Sequence, residues 1–235
     1  MRPHPMPACL AASRVRRLPA PRQLCLALAI AFGSIHGHAQ AQLPTGAQVV
    51  SGSANWKTEG GAMTVRNSPN AIIDWQGFSI GAGSRVRFDQ ADSSSQVLNR
   101  VVGRDGSLIL GSLSSNGRVW LINPNGVLFG PGARVDVSGL VASSLNVSNA
   151  DFLSRQGVAS ADPGKPGAAV VNQGQVAAAP GGSVWLLGAS VRNEGLIQAP
   201  GGQILLAAGN SLEFVDASAP NVVLRVSAPE NEAIN

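Results

Sequence analysis

The sequence predicts an all-β protein whose main body is a parallel β-helix, a solenoid of short strands stacked coil on coil. Beyond residue 41, Gly or Pro interrupts the chain about every ten residues, and no long amphipathic helix pattern occurs. Short apolar runs of strand length lie between these turn residues. Residues 170–190 and 191–210 repeat with a period near 20, which is about the length of one β-helix coil.

The first 41 residues have the three parts of a cleavable secretory signal peptide. Five arginines and no acid lie in the first 22 residues, followed by the apolar run LCLALAIAF at 24–32. Nine apolar residues are too few to span a bilayer, which takes about 20. Small residues then end in Ala39-Gln40-Ala41. We expect export by the general secretion machinery and cleavage by signal peptidase after Ala41, so that Gln42 begins a mature domain of residues 42–235.

Removing the leader changes which chemistries remain available. Both cysteines and all three histidines lie within it, as do five of the 17 basic residues. The mature chain therefore carries 12 basic residues against 13 acids, a net charge of −1. This composition excludes a disulfide scaffold and Ser-His-Asp or Cys-His catalysis, and it lacks the commonest zinc ligands. The basic character of the whole chain resides in the leader, so no nucleic-acid partner is expected.

Seven runs in the first half of the mature chain are predicted to be strands, because each is apolar, of strand length and bounded by turn residues. They are Ala62–Arg66, Ala71–Trp75, Arg85–Phe88, Ser107–Leu110, Arg118–Ile122, Val127–Phe129 and Arg134–Val137. The runs that begin at Arg85 and Arg134 alternate charged and apolar residues, which predicts one buried face. Val222–Val226 is a further strand-like run.

The two repeats match at their turn residues. Asn172 and Asn193 are 21 residues apart, and Pro180 and Pro200 are 20 apart, each proline followed by Gly-Gly. Stacking would place Val184–Leu187 over Ile204–Ala207, with Asn and Gly at corners where positive φ is common. A β-sandwich with coincidentally similar turns is the alternative, and the fixed offsets favour the solenoid.

A β-helix needs caps at its ends, because an open coil exposes unpaired backbone groups. Residues 42–60 are small and polar enough to form the first cap. Residues 228–235 show no such cap, so we expect this domain to be the front of a longer solenoid.

The segment WLINPNGVLFG contains a well-defined turn, Asn123-Pro124-Asn125-Gly126. Pro124 fixes φ at the second position, while Asn125 and Gly126 tolerate positive φ. Apolar strands flank the turn on both sides.

An ordered set of motifs extends over the mature chain, and with it the sequence resembles the N-terminal secretion domain of the filamentous haemagglutinin family of two-partner secretion. The matching segments are Leu43–Gly46, Ala71–Gly83, Val97–Gly103, Ile109–Leu113, Asn116–Asp136 and Gly139–Ser144. The family's second turn motif, NPNL, is absent, and Asn67-Ser68-Pro69-Asn70 is not its equivalent.

The resemblance implies a right-handed parallel β-helix with an N-terminal cap and an extra-helical hairpin. It implies an adhesin-like protein, secreted or held on the surface of a Gram-negative bacterium after passage through the periplasm. Its partner would be a cognate outer-membrane β-barrel transporter with periplasmic domains, and host surface glycans would be candidate partners of a more C-terminal part. Asn123–Gly126 would nucleate the β-helix or be read by the transporter. No cofactor or metal is implied.

Two alternatives are a free-standing, carbohydrate-binding surface β-helix and a polysaccharide-acting β-helix enzyme. Asp89 and Asp92 are the carboxylates that an enzyme would use, although their segment reads as a solvated loop. Trp56 is the tryptophan expected at the surface, whereas Trp75, Trp120 and Trp185 lie in apolar strands and are expected in the core.

The leader assignment predicts the amino terminus of the exported protein. N-terminal sequencing of the secreted chain should give Gln42 as the first residue, because Ala39 and Ala41 meet the requirement for small residues before the cleaved bond. A different terminus would contradict the assignment.

Overall fold

The computed structural model describes residues 42–162 and 167–214 and the backbone of residues 225–227. The predicted signal peptide, including Ala39 and Ala41, lies outside the described residues. Gln42 lies inside them, and its carbonyl oxygen accepts a hydrogen bond from the Gly81 backbone N–H at 2.8 Å.

The described chain is almost entirely strand, with one short helix. The elements are β1 (Gln48–Ser51), β2 (Ala54–Glu59), β3 (Ala62–Asn67), β4 (Ala71–Trp75), β5 (Arg85–Asp89), β6 (Gln96–Val101), β7 (Ser107–Ile109), β8 (Ser112–Ser115), β9 (Arg118–Ile122), β10 (Val127–Phe129), β11 (Arg134–Val137), β12 (Gly139–Ser143), β13 (Asn146–Val147), α1 (Asn149–Ser154), β14 (Gly157–Ser160), β15 (Ala169–Asn172), β16 (Gln175–Ala178), β17 (Val184–Gly188), β18 (Ser190–Asn193), β19 (Leu196–Gln198), β20 (Ile204–Ala208), β21 (Ser211–Phe214) and β22 (Arg225–Ser227).

Three sheets run along the solenoid, and from β3 to β12 and from β15 to β20 consecutive strands of the chain belong to different sheets. Sheet A has the order β1-β4-β6-β9-β12-β17-β20, sheet B has β2-β3-β5-β8-β11-β16-β19, and sheet C has β7-β10-β15-β18. Apart from β1 and β2, neighbouring strands of these sheets pair in parallel. The prediction of a parallel β-helix is confirmed, and the seven predicted strands match observed strands to within one residue at each end.

The interior is filled by rows of apolar side chains that stack from coil to coil. One row in sheet B consists of Met63, Val86, Leu113, Val135, Val176 and Ile197. The first five are buried, and the sixth is half-buried at the C-terminal end of the solenoid. Because each coil presents a side chain of the same kind at the same height, each row buries apolar surface along the full length of the axis.

One polar side chain, Asn99, occupies an interior row of sheet A between Ile73 and Leu121. It is fully buried, and its Oδ1 accepts a hydrogen bond from Trp75 Nε1 at 3.0 Å. Its Nδ2 donates to the Trp120 carbonyl at 3.3 Å. Both ends of the amide are therefore satisfied, as a buried polar group requires.

Sheet A also has an apolar outer face. One register row on that face runs through Ile72, Leu98, Trp120, Val141, Trp185 and Leu205. An antiparallel sheet D, β13-β14-β21-β22, and helix α1 cover the row. Phe152 of α1 and Phe214 of β21 lie 5.5 and 5.8 Å from Trp120, measured between ring centroids. The resemblance implied an extra-helical hairpin, and the structure has a four-stranded antiparallel sheet and a short helix outside the coils.

The two faces of sheet A refine the predicted stacking of the repeats. The register of Val184–Leu187 over Ile204–Ala207 is confirmed. The side chains, however, alternate between faces: Val184 and Leu186 enter the interior, while Trp185 and Leu187 pack under sheet D. Strand geometry forces this alternation, because successive side chains point to opposite faces.

Arg100 fastens the covering layer to the solenoid. Its Nη2 donates to the Val147 carbonyl at 2.7 Å, and its Nε donates to Asn146 Oδ1 at 3.2 Å. On the solenoid side, its Nη1 lies 3.4 Å from Asp74 Oδ1. One guanidinium thus joins β4, β6 and β13 by three polar contacts, using the forked geometry that distinguishes arginine from lysine.

The two ends of the solenoid differ. At the N-terminal end, β1 and β2 run antiparallel to β4 and β3, and the Trp56 ring lies 6.1 Å from that of Trp75, which confirms the predicted cap. At the other end, Ile204 and Leu206 continue interior rows but are 47% and 43% exposed.

The corner residues of the repeats work differently from the prediction. Gly181 and Gly201 do adopt positive φ, at 78° and 65°. Asn172 and Asn193 do not, so the expectation that Asn occupies left-handed corners is wrong for this pair. Instead, Asn172 Nδ2 donates to Asn193 Oδ1 at 2.8 Å, linking one coil to the next through their side chains.

The loop between β5 and β6 is organised by one carboxylate. Asp92 Oδ1 accepts hydrogen bonds from the backbone N–H groups of Ser94 and Ser95, at 2.8 and 2.7 Å, and from both of their hydroxyls. These bonds, led by the Ser94 hydroxyl, hold the pKa of Asp92 below its ordinary value.

This lowered pKa predicts how the loop responds to acid. The hydrogen bonds favour the charged form, so their contribution to stability is present above the unfolded-state pKa and is lost as the pH falls through the folded-state pKa. An NMR titration of the carboxyl carbons should find Asp92 titrating below an ordinary aspartate. Asp92→Asn should remove the acid-dependent shifts of the Ser94 and Ser95 amides, and an ordinary titration for Asp92 would contradict the assignment.

The covered face of sheet A predicts a large cost for truncating its central ring. Trp120→Ala should lower the free energy of unfolding by about 3–5 kcal/mol, because the ring is 2% exposed and packs on two phenylalanines. Trp56→Ala is the matched control, with an expected cost of about 1 kcal/mol, since that ring is 41% exposed. Urea unfolding followed by circular dichroism measures both, and equal losses would contradict the packing argument.

Candidate functional site: the turn at Asn123–Gly126

The turn predicted at Asn123–Gly126 lies at the corner where β9 of sheet A passes to β10 of sheet C. The Gly126 backbone N–H donates to the Asn123 carbonyl at 2.9 Å and closes the turn. Gly126 has φ of 103°, whereas Asn125 keeps a negative φ and does not use its tolerance for the left-handed region.

Asn123 is fully buried and serves as the hub of the turn. Its Nδ2 donates to the Asp105 carbonyl and to Ser107 Oγ, both at 3.0 Å. Its Oδ1 accepts from the Asn125 backbone N–H at 2.9 Å. Both donor hydrogens and the acceptor oxygen are in use, and no smaller side chain can reproduce this set.

Asn125 adds a second link to the preceding coil. Its Nδ2 donates to the Gly103 carbonyl at 3.0 Å and to Asn123 Oδ1 at 3.2 Å. Pro124 and Asn125 are half-buried, so they are the members of the turn with atoms at the surface.

Backbone hydrogen bonds join the turn to coils on both sides. The Asn123 N–H donates to the Ser143 carbonyl of the next coil at 2.8 Å. The Ser107 N–H of the previous coil donates to the Gly126 carbonyl at 2.9 Å. The turn therefore holds three successive coils in register, which an isolated surface turn would not do.

An apolar groove lies beside the turn on the outer face of sheet C. Its floor is the register row Leu108, Leu128 and Val171, and its wall includes Asn125 and Gly126. The groove has a volume of about 360 Å³. Sequence reasoning missed this groove, because each of the three residues belongs to a different strand and only the register brings them together.

The candidate catalytic residues do not form a site. Asp89 Oδ2 lies 3.1 Å from Arg66 Nε, while Asp92 is occupied by the serines of its own loop. Among the residues that the structure describes, no three His, Cys, Asp or Glu side chains come together as metal ligands. In the same part of the chain, no helix is long and apolar enough to cross a membrane. Of the tryptophans, Trp56 is surface-exposed and the other three are buried, as predicted.

Comparison with known proteins identifies the architecture. The crystal structure of the HMW1 secretion domain from Haemophilus influenzae superposes with a TM-score of 0.76 and 39% sequence identity, covering 80% of this chain and 50% of that one. A heme/hemopexin-binding protein of H. influenzae strain Rd is 46% identical over 103 residues, which are 43% of this chain and 11% of that protein. A second H. influenzae heme/hemopexin-binding protein is 43% identical over 89 residues, 37% of this chain and 10% of that protein. The matched region thus spans about a tenth of the length of these curated relatives.

The family model described as the TPS secretion domain matches residues 36–235, which includes all of the described solenoid. Proteins with this domain leave the cell through the outer membrane, to be held at the surface or released, and the family is one of secretion domains rather than enzymes. The two-partner system to which they belong implies an outer-membrane transporter as partner. By its sequence and its stacked coils, the chain belongs to the TPS secretion domain family.

Proposed function

We propose that this chain directs secretion of a filamentous haemagglutinin-like adhesin, through a cognate outer-membrane β-barrel transporter, by nucleating its β-helix at the cell surface. The observation that carries the proposal is the hydrogen-bond network of Asn123, which ties together three coils. In this scheme the signal peptide, cleaved after Ala41, takes the chain across the inner membrane, and residues 42–235 take it across the outer one.

The network is suited to nucleating the fold because its side-chain hydrogen bonds to the previous coil join residues that are close together in the sequence. Asn123 and Asn125 reach residues that precede them by 16 to 22 positions, which is one coil. Closing a short loop costs less entropy than closing a long one, and local contacts form early in folding. The coil ending at Gly126 can therefore close before later coils are present and offer them a template.

Burial of Asn123 bears on the choice between nucleation and recognition. Its side chain is inaccessible in the folded domain, so a transporter could read it only in the unfolded chain. The half-buried Asn125 and the apolar groove beside it remain accessible after the coil has closed. We therefore assign Asn123 to folding, and we assign contact with the periplasmic domains of the transporter to Asn125 and the groove of Leu108, Leu128 and Val171.

Periplasmic domains could also bind the chain by adding a strand to a sheet edge before the neighbouring coil has formed. Every strand of the solenoid is such an edge until the next coil covers it. Coil-by-coil folding outside the membrane would then release the chain from the transporter and favour outward movement.

The exposed final layer supports a solenoid that continues beyond the coils described. Ile204 and Leu206 stand in interior rows yet remain 47% and 43% exposed. A further coil would cover both side chains and stabilise the fold by about 25 cal/mol for each Å² of apolar surface buried. We propose that residues 42–235 form the front of such a longer β-helix, and that adhesion and any glycan binding by the whole protein depend on its later part.

The enzyme alternative has little support. A carboxylate pair for glycoside hydrolysis must flank one bond, whereas Asp89 is paired with an arginine and Asp92 organises its own loop. The names of the matched relatives refer to heme and hemopexin, but the shared region is too small a part of those proteins to transfer their ligands.

Asn123→Ala tests the nucleation role. It should lower the free energy of unfolding by about 2–3 kcal/mol, because it removes three buried hydrogen bonds. Asn125→Ala, the matched control, should cost about 1 kcal/mol, because it keeps the backbone bond to Asn123. Urea unfolding gives the stabilities, and co-expression with the transporter gives the exported fraction.

The ranking of the variants in the export assay distinguishes the two roles. Because Asn123 is assigned to folding, Asn123→Ala should lose export in proportion to its loss of stability. Because Asn125 is assigned to transporter contact, Asn125→Ala should lose more export than its small loss of stability accounts for. If export follows stability for both variants, the contact assigned to Asn125 is wrong. Normal export of the Asn123→Ala/Asn125→Ala double variant would overturn both roles, and export without the transporter would overturn the proposed function.

A further inference from the structure

Two corners of the solenoid contain the dipeptide Asn-Gly, at Asn116-Gly117 and Asn125-Gly126, and the sequence has no other. In this dipeptide the backbone nitrogen of glycine can attack the side-chain carbonyl carbon of asparagine, because glycine has no side chain to obstruct the approach. The side-chain nitrogen leaves as ammonia, and a five-membered succinimide forms. Water then opens the ring to give aspartate or isoaspartate. Both corners therefore contain a group that deamidates wherever the chain is free to bring these atoms together.

The fold requires the glycine at each corner. A Cβ atom on Gly117 would lie 2.6 Å from Cδ of Gln90 and 2.8 Å from the Ser95 carbonyl oxygen. Gly126 has φ of 103°, and a Cβ atom there would lie 3.0 Å from the Ala169 carbonyl oxygen. A larger residue would slow the attack on asparagine, but packing and backbone conformation exclude it.

The fold also requires the asparagine at each corner. Asn116 Oδ1 accepts from the Gln90 backbone N–H, and Asn116 Nδ2 donates to the Gln90 carbonyl, both at 2.8 Å. Asn125 Nδ2 donates to the Gly103 carbonyl at 3.0 Å. Each side chain thus joins its corner to the preceding coil by donating an N–H. An aspartate carboxylate has no N–H and cannot replace either bond.

Hydrogen bonds at the folded corners oppose the reaction. The Gly117 N–H donates to Ser115 Oγ at 3.0 Å, and the Gly126 N–H donates to the Asn123 carbonyl at 2.9 Å. Both attacking nitrogens are therefore engaged, and both asparagine side chains are bonded to the preceding coil. Burial does not protect Asn116, which is exposed. Deamidation of the folded chain would have to proceed through local opening of the corner.

We propose that Asn116 and Asn125 are sites of spontaneous deamidation in the unfolded chain, and that closing their corners protects them. Aspartate at position 116 would place a carboxylate beside the Gln90 carbonyl. Isoaspartate would add one atom to the backbone between β8 and β9, whose registers are both fixed. A chain that stays unfolded too long would then lose the ability to stack these coils. This chemistry belongs to the chain itself and does not depend on a transporter.

Peptide mapping by mass spectrometry tests the proposal on the exported full chain. The chain is kept at neutral pH in guanidinium chloride that unfolds it, or folded in potassium chloride of equal concentration. Asn116 and Asn125 should deamidate faster by about tenfold or more in guanidinium chloride, because only the open corner reacts. Asn55 is the internal control and should stay unmodified in both solutions, because the bulky Trp56 follows it. Equal rates at Asn116 and Asn125 in the two solutions would overturn the proposal.

Ser115→Ala tests whether hydrogen bonding gives the protection. It removes the oxygen that accepts from the Gly117 N–H. In the folded chain, it should speed deamidation of Asn116 and leave that of Asn125 unchanged. No change at Asn116 would overturn the protective role of the corner's hydrogen bonds.

Asn116→Asp tests the consequence for folding, because it reproduces one product of the reaction. It should lower the guanidinium chloride concentration at the unfolding midpoint and the fraction of chain that refolds on dilution. Asn193→Asp is the matched control, since the contact of Asn193 with Asn172 uses Oδ1, an atom that aspartate also has. That variant should unfold and refold like the unaltered chain. Equal midpoints for the two variants would overturn the proposed loss of folding ability.

Discussion

The structure depends on in-register hydrogen bonding between successive coils. Once Ser112 of one coil pairs with Arg134 of the next, and Arg134 with Gln175, every later residue of those strands has a determined partner. A shift of one residue would move each interior side chain to the surface. The apolar rows and the paired asparagines are both consequences of this one register, since neither exists within a single coil.

Polar side chains help to set that register. Asn99 is held inside the solenoid by Trp75 and the Trp120 carbonyl, and Asn123 is held at a corner by Asp105 and Ser107. A slipped register would leave these buried amides without partners, which costs more than a misplaced apolar contact. Apolar burial supplies most of the stabilisation, and the buried amides make slipped registers unfavourable.

Much of this could be predicted from local sequence. Alternation of charged and apolar residues located β5 and β11, and repeated Asn, Pro and Gly-Gly positions revealed the coil period. The outer cluster under sheet D could not be predicted, because it joins Trp120 to Phe152 and to Phe214, and three further coils and a helix separate Trp120 from Phe214 in the chain. The burial of Asn123 could not be predicted either, because nothing in the tetrapeptide NPNG distinguishes a buried turn from an exposed one. The expectation that Asn172 and Asn193 stand at corners for their tolerance of positive φ was wrong. They are placed there by the hydrogen bond between their side chains, not by backbone conformation.

The layer that covers Trp120 also forms late when the chain folds from its amino end. Phe214, one of the two rings that close over it, lies 94 residues further along the chain. A chain delivered to the outside amino end first would build the coil of Trp120 long before the strand that shelters it arrives. For that interval the outer face of sheet A would be a bare hydrophobic surface on a half-emerged protein. The order of delivery, and not only the final contacts, would then decide how long the growing molecule is open to unwanted association with its neighbours.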